Sequence, residues 1–147
     1  MPVKDVANIA IWGNHSKSQY PDVSNAFVMV NGKKTTVEAA VGDMHYLHGD
    51  FISTVQQRGA AVIEARGASS ALSAANAALD HLRTWLVTGT KPGQFTSMGI
   101  FSQGHYGIAK DIVFSFPLTC ANGEYKVVEG LEINDFARDK LKATEAE

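Results

Sequence analysis

His15 is the residue best suited by its type and surroundings to do chemistry. It lies among small and polar residues, from Gly13 to Ser16, directly after an apolar segment that predicts a short buried strand. Small neighbours leave room for a substrate, and an imidazole takes up and releases a proton near neutral pH. Position alone favours an ordinary surface histidine, although loops often carry functional residues. His15 is therefore a candidate for proton transfer.

A second group of candidates lies in residues 43–50, which read DMHYLHGD. His45 and His48 are three residues apart, so on a helix both imidazoles would face one metal ion, with Asp43 or Asp50 as third ligand. Glycines at both ends of the segment argue against a rigid helix, and no recognised zinc spacing is present. We interpret the segment as a solvated connection and predict no metal site; a small metal protein is the alternative.

Four other polar side chains have simpler explanations. Ser69 and Ser70 precede a predicted helix, where a hydroxyl caps the first turn, although either could also contact a ligand. Arg58 lies beside an apolar helix stripe, where it extends its stem over the core and keeps its head in water, or else pairs with a carboxylate substrate. Cys120, the single cysteine, has no histidine beside it and is expected to be a small buried hydrophobic residue.

Composition disfavours several classes of function. The 13 basic and 15 acidic side chains give a formal net charge of -2 with no long run of either sign, so no basic surface is offered to nucleic acid. No segment approaches the ~20 apolar residues that span a bilayer, and the first residues have no signal-peptide character. The 13 glycines include no Gly-x-Gly pair, so neither a dinucleotide fingerprint nor a phosphate loop is predicted. We expect a soluble intracellular protein.

The first strands would position the histidine loop. One short strand is predicted from Val6 to Trp12, ending at Gly13. A hairpin is predicted from strands at 27–30 and 33–37, because Asn-Gly at 31–32 tolerates the positive φ of a type I′ turn.

Two helices follow. Apolar residues at three- and four-residue steps predict a helix from Asp50 to about Arg66, ended by Gly67. A second helix is predicted from Ser69 or Ser70 to Gly89, with an inner apolar face formed by Leu72, Ala75, Leu79, Leu82 and Leu86.

The last third of the chain predicts three antiparallel strands, at 95–102, 111–119 and 124–128. Pro117 cannot donate a ladder hydrogen bond, so its strand is expected to lie at an edge or to carry a bulge. A final helix is expected to begin at Asn134-Asp135. Strands, two long helices, strands and a helix predict a single α+β domain over residues 1–147.

Several segments together carry a family resemblance. Residues 12–22 read WGNHSKSQYPD and resemble the active-site segment of malate dehydrogenases of the cytosolic type and their chloroplast relatives. The segments that resemble the following helices, closing strands and final helix of this family are 51–63, 69–75, 97–99, 115–117 and 128–136. The resemblance runs from about Asp5 to Leu141, nearly the whole chain.

The resemblance implies a fold and a mechanism. The fold would be that of the lactate/malate dehydrogenase C-terminal domain, with antiparallel strands packed against two long helices and a final C-terminal helix. Family members transfer a hydride between NAD and the C2 carbon of malate or oxaloacetate. The residue matching His15 donates the proton to oxaloacetate and accepts it from malate. Ser69 falls where the second long helix opens beside the substrate, which implies substrate binding. Family members are typically homodimers.

Parts that complete the family's site are missing from these residues. In the family a preceding Rossmann domain binds NAD, an aspartate orients the histidine, and arginines hold the substrate carboxylates. We therefore expect residues 1–147 to be the substrate-binding and catalytic domain alone, without a cofactor-binding residue and inactive by itself. We expect a cytoplasmic location, with a plastid and NADP remaining open. The alternative is a non-catalytic module for dimerisation or binding.

Overall fold

A computed structural model describes residues 2–147 and places eight strands and five α-helices among them. The strands are β1 (Val6–Ala7), β2 (Ala10–Trp12), β3 (Tyr20–Asp22), β4 (Phe27–Val30), β5 (Lys33–Thr36), β6 (Thr96–Phe101), β7 (Val113–Ala121) and β8 (Glu124–Val127). The helices are α1 (Val37–Val41), α2 (Met44–His48), α3 (Asp50–Arg66), α4 (Ala71–Arg83) and α5 (Asp135–Glu145). The predicted α+β class is confirmed.

The strands form three small antiparallel sheets, in the orders β1-β4-β5, β2-β3 and β6-β7-β8. The single strand predicted from Val6 to Trp12 is wrong, because the chain divides between two of these sheets. Asn8 adopts φ 63 between β1 and β2, a left-handed conformation that asparagine tolerates better than most residues. The hairpin prediction is confirmed, since Val30 pairs with Lys33 and the turn residues 31 and 32 both have positive φ.

The expectation that Pro117 marks an edge strand is wrong, because β7 lies in the middle of its sheet. One edge of β7 pairs with β6 from Val113 to Leu118, whereas the other edge changes partners. Ser115 bridges to Gly13, and from Leu118 onward the strand pairs with β8. The carbonyl of Pro117 accepts the N–H of Val128, and the return bond that Pro117 cannot donate is replaced by the hydroxyl of Tyr106, which donates to the carbonyl of Val128.

Both long helices are present. α3 has the predicted bounds and ends at Gly67, whose φ of 70 allows the left-handed cap. α4 begins after Ser70 without a side-chain cap hydrogen bond, so the serine cap is not observed. After Arg83 the helix widens into a π-helical turn over Thr84–Thr88 and ends at Gly89.

The predicted inner face of α4 is wrong. Leu72 is 83% exposed and Leu79 is 66% exposed, and α4 contains no buried residue. The periodicity of the leucines is real, but no part of the chain that the structure describes covers that side of the helix. The leucine face of α4, which continues into the π-helical turn and is formed by Leu72, Leu79, Leu82 and Leu86, is therefore exposed.

The segment between the two glycines at 42 and 49 is helical, which corrects the expectation of an irregular connection. Asp43 caps α2 by accepting the N–H of Tyr46 at 2.9 Å. Gly42 ends α1 and Gly49 ends α2 itself, so neither glycine prevents the short helix between them.

The core lies between the third sheet, β2 and α5. Its largest fully buried side chains include Trp12, Phe116 and Leu141. Trp12 meets Phe116 edge-to-face, with ring centroids 6.2 Å apart. Cys120 is buried in this cluster, as predicted. Within residues 2–147, no helix combines the length and apolar character needed to cross a membrane.

Candidate active site

His15 lies in the loop that joins β2 to β3, as the sequence predicts. Its side chain is exposed. Among residues 2–147, no side chain or backbone group forms a hydrogen bond or ion pair with its imidazole. Both ring nitrogens are therefore open to a bound molecule.

The chain leading into the loop is fixed to the third sheet. Gly13 and Ser115 exchange backbone hydrogen bonds of 3.3 and 3.0 Å. The hydroxyl of Ser115 donates to the carbonyl of Ile11 at 2.6 Å, and the N–H of Ile11 donates to Ser97 Oγ at 2.9 Å. These two serines join β2 to β6 and β7, so the loop begins from a rigid base.

The far side of the loop is fixed to α5. The backbone N–H of Asn14 donates to Thr144 Oγ1 at 3.0 Å, and its side-chain amide donates to the Thr144 carbonyl at 2.9 Å. The hydroxyl of Ser16 donates to the carboxylate of Glu147 at 2.6 Å, and Ser18 contacts the same carboxylate. These hydrogen bonds from the two serines lower the pKa of Glu147, since they stabilise its charged form.

A cleft of about 920 Å³ opens on one side of His15. The cleft is also lined by the segment of α4 that contains Ala77, Ala78 and His81, and by Ser97 and Ser115 of the third sheet. Ala77 and Ala78 have small side chains, so this segment of α4 leaves room in the cleft.

A second cleft, of about 610 Å³, borders His15 on the other side. It is lined by Lys17 from the loop and by Gln56 and Arg58 from α3. Gln56 Nε2 donates to the Gln19 carbonyl at 2.8 Å, which ties the helix to the loop. Two cations thus lie beside the imidazole in a cleft that suits an anionic molecule.

Ser69 lies at the corner between α3 and α4, and it lines neither of the two clefts that His15 borders. Its carbonyl accepts a hydrogen bond from Arg66 Nη1 at 3.1 Å. The structure brings Arg58 to the second cleft but does not bring Ser69 to either, so the assignment of Ser69 to substrate binding stays a prediction.

The histidines of α2 are not gathered into a metal centre. No cluster of three or more His, Cys, Asp or Glu side chains with metal-binding geometry occurs within residues 2–147. The ring of His48 stacks instead on Phe136 of α5, with centroids 4.2 Å apart.

Sequence reasoning missed two residues around His15. His81 was passed over within the apolar pattern of α4, although a histidine one turn after Ala77 and Ala78 could have indicated a polar group in a cleft. Thr144 gave no local signal, because it is 130 residues away from the loop residue it binds.

Comparison with known proteins agrees with this geometry. Residues 2–147 match the family described as lactate/malate dehydrogenase, alpha/beta C-terminal domain. The chain is 55% identical over 145 residues to "Malate dehydrogenase, cytoplasmic" of Medicago sativa, covering 99% of this chain and 43% of that protein. It is 52% identical over 147 residues to "Malate dehydrogenase 1, cytoplasmic" of Arabidopsis thaliana, covering 100% and 44%.

Two solved structures have the same fold. The lactate dehydrogenase of Trichomonas vaginalis, solved with NADH and oxamate, superposes with a TM-score of 0.92 at 40% identity, covering 99% of this chain and 44% of that one. The malate dehydrogenase of Naegleria fowleri gives 0.88 at 42% identity, with 99% and 43% coverage.

The fold and the matches define an α/β domain of the lactate/malate dehydrogenase C-terminal type. The chain belongs to the lactate/malate dehydrogenase family. It spans about 43% of the length of the curated relatives cited here.

Proposed function

We propose that this chain is the substrate-binding and proton-transferring part of a malate dehydrogenase that interconverts malate and oxaloacetate with a nicotinamide dinucleotide. One observation carries the proposal: His15, with both ring nitrogens open, borders two clefts on a loop fixed at both sides. The relatives named malate dehydrogenase, at 52% to 55% identity, support the choice of reaction.

His15 acts as the proton donor and acceptor. In malate oxidation the neutral imidazole of His15 would accept the proton of the 2-hydroxyl, and the oxidised nicotinamide dinucleotide would supply the acceptor for the C2 hydride. In the reverse direction the imidazolium would polarise the oxaloacetate carbonyl and protonate its oxygen, and the reduced dinucleotide would supply the hydride. A loop anchored on a sheet and a helix keeps the ring at hydrogen-bonding distance without a large reorganisation.

The substrate is a dianion, and the second cleft has the matching charge. Lys17 and Arg58 lie in this cleft with His15, so their positive potential attracts the substrate carboxylates. We keep Ser69 as a proposed substrate contact at the opening of α4, on the basis of the family resemblance alone. Exchange of Ser69 for alanine is expected to raise KM for oxaloacetate with little change in kcat.

The nicotinamide dinucleotide is held mainly by residues outside this chain. The 147 residues contain no Gly-x-Gly pair, so no helix here offers the glycine-rich cradle that dinucleotide phosphates require. The residues present therefore do not fit the cofactor as a whole, and no step of hydride transfer is assigned to them. The choice between NAD and NADP belongs to the same outside residues.

We also propose that the working enzyme is a cytoplasmic homodimer. The location follows the relatives named cytoplasmic. A second copy would cover the leucine face of α4, whose side chains are 44% to 83% exposed. An apolar row of this length is uncommon on the surface of a protein that works alone. The same face supports the alternative of a non-catalytic dimerisation module.

A hybrid enzyme tests the function. Residues 2–147 replace the matching segment of the Medicago sativa enzyme, and oxaloacetate and pyruvate reduction are followed by loss of reduced dinucleotide. We expect the hybrid to reduce oxaloacetate in preference to pyruvate. His15→Asn is expected to lower kcat by about 10²–10⁴-fold, the range for loss of a general acid-base group.

The matched control is His81→Asn, which changes the other histidine of the first cleft. It is expected to lower kcat far less than the substitution of His15. A hybrid that folds but shows no reduction, or that keeps its kcat after His15→Asn, would contradict the proposal and favour the dimerisation module.

A further inference from the structure

The last turn of α5 closes around the loop that carries His15. Thr144 is fully buried, and its hydroxyl forms two hydrogen bonds with the loop. It accepts the backbone N–H of Asn14 at 3.0 Å, and it lies 2.9 Å from the hydroxyl of Ser18. Because Asn14 and Ser18 flank His15 in the sequence, one oxygen atom joins both sides of the histidine segment.

Thr144 of α5 also lies so close to Gly13 of the loop that no space is left for a side chain at position 13. A Cβ atom at Gly13 would lie 2.1 Å from Thr144 Oγ1, well inside van der Waals contact. Gly13 has φ +88, which a larger residue rarely adopts. The absence of a side chain at position 13 therefore lets the Thr144 hydroxyl reach the backbone of the loop.

The imidazole itself has no partner within residues 2–147 that would fix its direction. Catalytic histidines are commonly oriented by a hydrogen bond to the second ring nitrogen. Within this chain, the place of the His15 ring is set by the backbone on either side of it instead. That backbone depends on Thr144.

We propose that Thr144 is a positioning residue for His15, whose hydroxyl holds the histidine loop in the shape that puts the imidazole at the border of the two clefts. The inference rests on the proposed role of His15 in proton transfer. Thr144 lines neither of the two clefts that His15 borders. It acts through Asn14 and Ser18, which carry the constraint to the histidine between them.

Removal of the hydroxyl affects catalysis more than binding of the dinucleotide. Thr144→Val keeps the shape of the side chain but leaves the Asn14 N–H without its acceptor. A displacement of about 1 Å in a reacting group can cost on the order of 100-fold in rate. We expect Thr144→Val to lower kcat for oxaloacetate by about 10–100-fold and to leave KM for the reduced dinucleotide within twofold.

The experiment compares three variants of the hybrid enzyme. Thr144→Val removes the hydroxyl, and Thr144→Ser restores it without the methyl group. Leu141→Ala weakens the packing of α5 through a fully buried side chain one turn away, without touching the loop hydrogen bonds. Melting temperature, kcat and both KM values are measured for each.

The expected result is a separation of stability from activity. Thr144→Ser keeps kcat within about threefold, and Leu141→Ala lowers the melting temperature with kcat within twofold. Equal kcat losses in the Val and Ser variants, or a loss in Leu141→Ala as large as that in Thr144→Val, overturn the inference. A Thr144→Val enzyme with normal kcat also overturns it.

Two further measurements keep the test decisive. If Thr144→Val does not fold, Ser18→Ala takes its place, since it removes one of the two bonds to the same hydroxyl; a normal kcat there overturns the inference. His15→Asn is measured in parallel. If His15→Asn retains its kcat, the proposed function is contradicted. If His15→Asn loses kcat while Thr144→Val keeps full activity, only the positioning role of Thr144 is contradicted.

Discussion

The indole nitrogen of Trp12 donates a hydrogen bond of 3.1 Å to Asp22 Oδ2 across the β2–β3 pair, and both side chains are buried. The other carboxylate oxygen accepts the N–H of Ser24 at 2.9 Å and its hydroxyl at 2.6 Å. Three donors thus compensate for the burial of one carboxylate. This group links the two ends of the histidine loop at its base.

Asp22→Ala is expected to lower the free energy of unfolding by about 2–3 kcal/mol, because it leaves the buried indole N–H without a partner and removes charge-assisted hydrogen bonds. Urea denaturation followed by tryptophan fluorescence measures the change. Ser24→Ala is the control, with an expected loss of about 1 kcal/mol, since the indole bond remains. Equal losses in the two variants would show that the Trp12–Asp22 bond contributes nothing.

Gly13→Ala is expected to destabilise the chain by roughly 2–6 kcal/mol, the sum of backbone strain at positive φ and overpacking against Thr144. Gly59→Ala is the matched control in the interior of α3. No atom lies within 4 Å of the added Cβ there, so a gain of about 0.5–1 kcal/mol is expected from helix propensity. Thermal and urea unfolding of both variants check the pair, and a mild effect at Gly13 would refute the close approach of α5.

Leu79→Arg is expected to convert the dimeric hybrid enzyme into a monomer, since it places a charge in the middle of the leucine face of α4. Sedimentation velocity and light scattering measure the mass. Ser73→Arg adds the same charge to the same helix, but on the side away from the leucines, and is expected to leave the mass unchanged. An unchanged dimer in Leu79→Arg would mean that a second copy does not cover this face.

Tyr20 gives the chain a dependence on alkaline pH. Burial, reinforced by the nearby charges of Asp22 and Glu38, raises the pKa of Tyr20 above its ordinary value of 10. The folded chain therefore keeps a proton that the unfolded chain releases, so stability falls as the pH rises through about 10. Urea midpoints measured from pH 8 to 11 are expected to fall less steeply in Tyr20→Phe. Tyr46→Phe, at an exposed position, is the control; the same slope in both would contradict the assignment.

Local signals were sufficient for much of the fold. The Asn-Gly turn at 31–32, the bounds of α3 and the start of α5 were predictable, because each depends on residues close together in the sequence. Asn134, for example, accepts the N–H of Ala137 at 2.8 Å, which is the usual geometry of an N-cap. His15 was placed correctly in its loop for the same reason.

Features that depend on distant partners could not be predicted. The spacing of the leucines in α4 predicts an apolar face that packs against another surface. It does not say whether that surface belongs to the same chain or to another molecule. Pro117 was assigned to an edge because its sequence gives no hint that β7 changes partners between Gly13 and β8. The clefts beside His15 are formed in part by side chains of α3 and α4. These helices are distant from residue 15 in the sequence, so no local pattern around His15 predicts the clefts.

The contact between Thr144 and the histidine loop has a consequence for biosynthesis. A ribosome makes His15 long before it makes α5, so the loop emerges without the hydroxyl that joins its two sides. Contacts between residues 130 positions apart are also among the last to form in any folding reaction, because closing a long loop costs chain entropy. During synthesis the histidine loop is therefore complete in sequence before the hydroxyl that holds it has been made. A chain stalled on the ribosome before residue 144 would contain every strand but would lack the Thr144 contact that positions His15.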